Sequence, residues 1–292
     1  SKDEDPAITA RVDALMFSWM TTSEFPKVTE HAVKIEQVVK DRPDLSSIED
    51  NDLVQRMRDM MPLFAEIFST HSEVSAAASV TMGAITGLAL GLGKPGLDLR
   101  IAGGLGGVAS AEPSFAMWDL SRIVRNSSSL TAVFEKGTGS ILENIKAARD
   151  DEFNTAFEAL LNNYGSRGHN EWELRSRTWQ THPELALTMI DRMRLVSEKQ
   201  DPRLRHNEAR RRSSEALEKL RDLVAEDQIS AGTLEIAVTS SSVFIPAREA
   251  AKTTIVKVVH EVRLAALELG RRLANDGRLK SPEHVFMLQD QD

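Results

Sequence analysis

The sequence has no cysteine, a single tyrosine and only 5% aromatic residues among its 292 positions. Without cysteine there can be no disulfide, thiolate metal site, iron–sulfur cluster or thiol nucleophile. The same absence fits a reducing compartment, so a cytoplasmic location is expected. The charged start Ser1-Lys2-Asp3-Glu4-Asp5 is followed by no apolar core, so it does not read as a signal peptide. An initiator Met is also missing, which points to a processed chain or a domain cut from something longer.

Several catalytic signatures are missing as well. There is no GxSxG elbow, no GxxxxGK[ST] phosphate loop, and no HxxxH or HExxH pair. Gly104-Leu105-Gly106-Gly107 lacks both the preceding strand and the phosphate-binding lysine of a nucleotide loop. The seven histidines stand far apart, His169 with Glu171 being a weak exception, so no metal site is expected. With 36 basic and 44 acidic residues the net charge is −8, which argues against a nucleic-acid partner.

What is present reads as helix. Apolar residues recur at helical spacing at Ile8, Val12, Leu15, Met16 and Trp19, and again at Val28, Ala32, Ile35, Val38 and Val39. Ser46-Ser47-Ile48-Glu49 has the spacing of a capping box. The stripe from Leu53 to Phe68 contains Pro62, where a kink or break is expected. Further helical stretches are predicted over 113–126, 130–134, 141–148, 153–163, 183–196 and 204–226. The run over 236–245 is strand-like by itself but favours helix in this setting. Pro246 is expected to start a long helix that ends at Asn275-Asp276-Gly277, and residues 281–288 read as extended. The predicted class is therefore mainly α: one large multi-helix domain over 1–292 with little or no sheet. A subdomain division into 1–163 and 164–292 is allowed.

Glycine is distributed unevenly. Nine of the 16 glycines lie between positions 83 and 107, and residues 74–93 carry no charge. Twenty uncharged residues reach the length of a membrane span. Their Ala, Gly, Ser and Thr content is too polar for one, and nothing else in the chain resembles a second span. A buried helix is expected, with the glycine-rich stretch 74–108 a candidate pocket wall.

Three clusters could carry chemistry. The segment Tyr164-Gly-Ser-Arg-Gly-His-Asn-Glu-Trp-Glu-Leu174 gathers Arg167, His169, Glu171 and Trp172 between and beyond two glycines. It could hold a polar ligand, or Arg167 and Glu171 could pair to pin a turn; composition favours the turn. Arg248 and Lys252 fall one turn apart on a helix face, suited either to an anion or to a solvated surface. Residues 167–212 hold eleven basic and seven acidic residues, a pattern usual for a solvated face.

Several segments together resemble a known family. The 164–174 segment followed by Arg177-Thr-Trp-Gln-Thr-His-Pro-Glu184 resembles a stretch of phosphoenolpyruvate-synthase-like phosphotransferases, and within them the rifampicin-phosphotransferase-like enzymes. Ala109-Ser-Ala-Glu-Pro113, Trp118-Asp-Leu120, Arg248-Glu-Ala-Ala-Lys252 and Pro282-Glu-His-Val-Phe-Met-Leu288 are similar in order and spacing. The resemblance spans roughly residues 100–290. It implies a helical acceptor-binding domain that works with an ATP-grasp domain and a phospho-His domain, neither of which is evident in this chain. It also implies ATP and Mg as cofactors of the complete enzyme and a small hydroxylated substrate as partner. Arg248 and Lys252 would then stabilise the transferring phosphoryl group, and Arg167, His169, Glu171 and Trp172 would shape the substrate pocket. The chain alone is expected to be inactive. A non-catalytic small-molecule-binding module and a purely structural helical module are the alternatives.

Overall fold

The computed structural model describes residues 5–107, 110–137 and 141–289. It is 78% helical. Among the described residues no strand forms; an antiparallel bridge joins Gly168 to Thr178. Among the described residues the α-helices, in chain order, are α1 (Pro6–Met20), α2 (Lys27–Lys40), α3 (Asp50–Gly91), α4 (Leu97–Leu105), α5 (Glu112–Asn126), α6 (Ser128–Glu135), α7 (Ile141–Ala148), α8 (Asp151–Tyr164), α9 (Pro183–Arg194), α10 (Pro202–Val224) and α11 (Gln228–Asn275). The start signal read from sequence at Pro183 acts as written. Asp150 caps α8 by accepting from the Phe153 amide at 3.0 Å, and Pro183 opens α9. Gly277, at φ +74°, stops α11 in the left-handed region, and the Arg278 amide closes back on the Leu273 carbonyl at 2.9 Å.

Four local expectations change. Ser46 is not a helix cap, because α3 begins at Asp50; its hydroxyl donates instead to the Asp44 carboxylate at 2.7 Å. Pro62 breaks nothing, since α3 runs through it. Pro246 does not start a helix but lies inside the 48 residues of α11. Each proline removes one backbone donor and crowds the preceding turn, at about 3 kcal/mol. Buried anchors on both sides, Met60 and Ile67 in α3, Phe244 and Ala251 in α11, hold the helix together; the three large side chains each contribute on the order of 2 kcal/mol and the Ala251 methyl under about 1 kcal/mol. Finally, Pro282–Met287 is a 3-10 helix rather than an extended tail.

The chain divides into two compact units, and each takes three separated stretches rather than one continuous half. The first comprises Ser1–Ala32, Phe68–Ser110 and Arg203–Lys252. Its core has two parts. Ile85, Ala89, Leu97 and Ile101 pack with Ala216, Leu220, Leu234 and Ala237, while Val28, Val74, Ala77 and Ala78 pack with Phe244 and Ala251. The second comprises Val33–Ile67, Ala111–Pro202 and Thr253–Asp292. There α5 packs on α8 and α9, with Phe134, Phe153 and Phe157 clustered among aliphatic side chains. A second cluster joins Ile35, Met60 and Ile67 to Ile255, Val258, Val259 and Val262.

α1 buries none of its residues: of its predicted stripe Ile8, Val12, Leu15 and Met16 are exposed, while Trp19 is partly buried against the Phe244 cluster. The glycine-rich stretch also departs from expectation. α3 buries Val74, Ala77, Ala78, Thr81, Ile85 and Ala89 on one face. The opposite face presents Gly83, Gly87 and Gly91, where an added Cβ would meet nothing within 4 Å. It is thus a half-buried helix, and of the 74–108 stretch Val108 lies outside the described residues. Both α3 and α11 are long and apolar enough to cross a membrane by length and composition, so a second such helix exists that the sequence reading missed. Gly104 alone in this stretch has a strict packing role: a Cβ there would sit 2.2 Å from the Ser213 Cβ, where α4 crosses α10. The Ser213 hydroxyl seals that crossing by donating to the Ile101 carbonyl at 2.7 Å.

Two alanine substitutions should therefore act in opposite directions. Gly104→Ala forces α4 off α10 and is expected to cost about 1–3 kcal/mol. Gly83→Ala adds helix propensity in open space and is expected to gain about 0.5–1 kcal/mol. Urea unfolding of both variants checks the pair; equal effects would contradict the packing at Gly104.

Candidate functional site

The first candidate group lies in the first unit, on α11 and α3. Phe244, Ala247 and Ala251 turn one side of α11 into the core. Arg248 and Lys252 occupy the flank, one turn apart as their spacing requires. The Arg248 side chain is 51% exposed and its Nη1 lies 3.2 Å from the Glu249 carboxylate. Lys252 is half-buried. Both were expected near a helix N-terminus, because Pro246 was read as the start. α11 begins at Gln228, so the two cations sit mid-helix and the terminal dipole does not act on them.

α3 adds a residue that sequence reasoning missed. His71 faces this pair and hydrogen-bonds the Arg248 backbone. Burial first, and then the positive charge of Arg248, holds its imidazole below the ordinary histidine pKa. A histidine kept neutral beside two cations leaves the cluster's positive charge on Arg248 and Lys252. Nothing in the local sequence marks His71; only the packing of α3 beside α11 brings it there.

The second candidate group lies wholly in the second unit. α8 stops at Tyr164, and the chain turns back on itself. The Trp179 amide donates to the Arg167 carbonyl and the Gln180 amide to the Gly165 carbonyl, both at 2.9 Å. Gly165 and Gly168 are required by contact: a Cβ would fall 2.2 Å from the Leu161 carbonyl oxygen and 2.4 Å from that of Arg177. Arg167 Nε donates to the Glu171 carboxylate at 2.8 Å, and the Gly168 amide reaches the same oxygen. Arg167 and Glu171 therefore pin the turn. Trp172 packs its ring against the Ile35–Val262 cluster, and His169 is exposed. The structure brings Arg167 and Glu171 together, and does not gather His169 and Trp172 with them around a common cavity.

Beneath this loop sits a buried polar trio from α11, also missed from sequence: His260, Glu261 and Arg263. The Arg263 side chain is fully buried. Its Nε donates to the Leu174 carbonyl at 3.0 Å, and Nη2 to the Glu171 and Glu173 carbonyls at 3.1 and 2.9 Å. Its Nη1 donates to His260 Nδ1 at 3.1 Å, which leaves Nε2 as the protonated nitrogen, donating to Gln180 Oε1 at 2.8 Å. Burial, then the charges of Arg263 and Arg42, pull the His260 pKa down to about 3. The Glu261 carboxylate, 1% exposed, is held by Arg42 at 2.8 Å and Arg56 at 2.6 Å. The signal was available: three ionisable residues within four positions, set among the apolar Ile255, Val258, Val259 and Val262 of α11.

A family model for the rifampicin phosphotransferase fourth domain matches residues 70–249, well over half of the chain. The chain belongs to this family. No curated protein matches it. In this rifampicin phosphotransferase fourth domain the matched segment holds the whole 164–174 loop, His71 and Arg248, and it ends at Glu249, three residues before Lys252. On α10, the arginine-rich end of the basic stretch is solvated: Arg211 and Arg212 pair with Glu208 on the same helix at 2.8 and 2.6 Å. Among the described residues, no group of three His, Asp or Glu side chains is placed to hold a metal ion.

The neutral His260 makes stability depend on pH. In the unfolded chain it takes up a proton near pH 6.5, but in the folded domain only near 3. Between these values the unfolded state binds more protons, so stability falls as pH drops below 6.5, by up to about 1.4 kcal/mol per unit. Urea unfolding at a series of pH values from 7 to 5 should show this loss, and His260→Gln should flatten it. Parallel curves for the two proteins would mean that His260 does not resist protonation.

Proposed function

We propose that the chain is the acceptor-binding domain of an ATP-dependent, dikinase-type phosphotransferase. A phosphoryl group would pass from a phospho-His on another domain to a hydroxyl of a small organic molecule held by this one. ATP and Mg would be used by an ATP-grasp domain, in cis or in trans, and the complete enzyme would work in the cytosol. Family membership supports the phosphotransferase setting. The observation that carries the acceptor role is the Arg248–Lys252 pair: two cations one turn apart on a partly open flank of α11, with His71 kept neutral beside them.

In this reading the nitrogen–phosphorus bond of the phospho-His breaks as the acceptor oxygen bonds to phosphorus and gives up its proton, and the freed imidazole takes up a proton to return to neutral histidine. Negative charge on the phosphoryl oxygens is met by Arg248 and Lys252, whose positions are fixed by the buried side of the same helix. Arg167 and Glu171 act through the shape of the loop, not through contact with the acceptor.

In an enzyme that contains all three domains, Arg248→Ala and Lys252→Ala should each lower kcat by about 10²–10³-fold. A change confined to KM would mean uniform binding and not stabilisation of the moving charge. The chain alone, given ATP and an acceptor, should transfer nothing, and transfer should appear when the ATP-grasp and phospho-His domains are added. Unchanged turnover in both variants would sink the assignment.

A further inference from the structure

The second unit contains a cavity that the proposed reaction does not use. It has a volume of about 220 Å³ and lies where the end of α2, the last turn of α8, the 165–180 loop and α11 converge. Val39 is its one apolar lining residue; the others include Arg42, Asn163, Ser166, Gln180 and Lys257. At roughly 30 Å³ for each water, the space holds about seven waters, or a small ligand of comparable size.

Its hydrogen-bonding inventory is lopsided. The one carboxylate of the lining, Glu261, has both oxygens engaged, by Arg42 and by Arg56. Gln180 Oε1 is engaged by His260, which leaves the Gln180 amide N–H groups with no partner among the described residues. The hydroxyl of buried Ser166 and the side-chain amides of Asn162 and Asn163 are likewise without a partner there. Arg42 spends one nitrogen on Glu261 and keeps further N–H groups, and Lys257 pairs only with the exposed carboxylate of Glu36. His260 cannot accept a proton near neutral pH, so the charged lining is two cations against one carboxylate whose oxygens are taken. A chamber with unpartnered donors, more cations than carboxylates in its lining, and that one carboxylate engaged suits a ligand made mostly of anionic oxygens.

We propose that this cavity is a binding site for a small oxyanion, a phosphate or a compact dicarboxylate, held by Arg42, Lys257, Ser166 and Gln180. It is built entirely from residues of the second unit, whereas Arg248 and Lys252 belong to the first. Its existence does not depend on the proposed phosphoryl transfer.

Isothermal titration of the chain with inorganic phosphate and, separately, with malonate at constant ionic strength tests it. Saturable one-to-one binding of at least one anion is expected, and the preferred anion tells phosphate from carboxylate. Asn163→Asp puts a negative charge in the chamber and Lys257→Met removes a positive one; neither touches Glu261. Each should weaken binding by about tenfold or more, while Lys219→Met on the exposed side of α10 should not change it. No saturation with either anion up to about 10 mM, or equal affinity in the chamber variants and the parent, would overturn the proposal.

Discussion

The second unit depends on one buried guanidinium. Arg263 places all its nitrogens on three carbonyls of the 171–174 loop, those of Glu171, Glu173 and Leu174, and on His260, with no carboxylate in direct contact. Burial lowers its pKa to about 10, yet leaves it charged at neutral pH. Only arginine could serve this position, because the loop presents carbonyl oxygens in several directions and a planar fork with five donors can meet them together. A lysine would satisfy fewer of them, and an apolar residue would leave buried carbonyls unpaired at about 1–3 kcal/mol each.

That single constraint propagates. Because Arg263 donates to His260 Nδ1, the imidazole must carry its proton on Nε2, and so Gln180 must turn its oxygen inward. With His260 neutral, Glu261 is left to Arg42 and Arg56, each of which takes one carboxylate oxygen. The orientation of each polar group follows from its neighbour, back to the charge on Arg263. The loop that carries the family resemblance is therefore held from below by α11 as well as by its own Arg167–Glu171 pair.

Much of the fold was legible in the sequence. The class, the helices over 113–126, 141–148 and 183–194, and the stop at Gly277 all follow from periodicity and caps, which are local. The failures share a cause. Pro62 and Pro246 were read as boundaries because proline is locally unfavourable in a helix, but tertiary burial on each side outweighed the local cost. The apolar stripe of α1 predicts a helix and a helix forms, yet Ile8, Val12, Leu15 and Met16 stay exposed, because periodicity reports only that one side differs from the other. For the sites, Arg248 and Lys252 were found through spacing and resemblance. His71 stands 177 positions earlier in the chain than Arg248, and no local pattern could join them. His260, Glu261 and Arg263 stand out in an apolar stretch, but what they bond is set by the distant 171–174 loop folded over them, which no local pattern conveys.

The two groups treat positive charge in opposite ways, which is the firmest physical distinction between them. Arg263 is surrounded, desolvated and fully bonded; removing its partners would leave a buried charge, so it serves architecture. Arg248 is half in solvent, and its contact with the neighbouring Glu249 is an exposed pair of the kind worth at most about 1 kcal/mol. An exposed pair that weak gives the folded domain little reason to keep Arg248, whereas a guanidinium retaining donors toward solvent can meet an incoming anion without first breaking strong bonds. The neutral state of His71 points the same way, since a third proton on the cluster would add repulsion that the fold avoids by burying the imidazole. Stability accounts for Arg263, whereas the exposed contact of Arg248 with Glu249 leaves that guanidinium open to the role proposed for it.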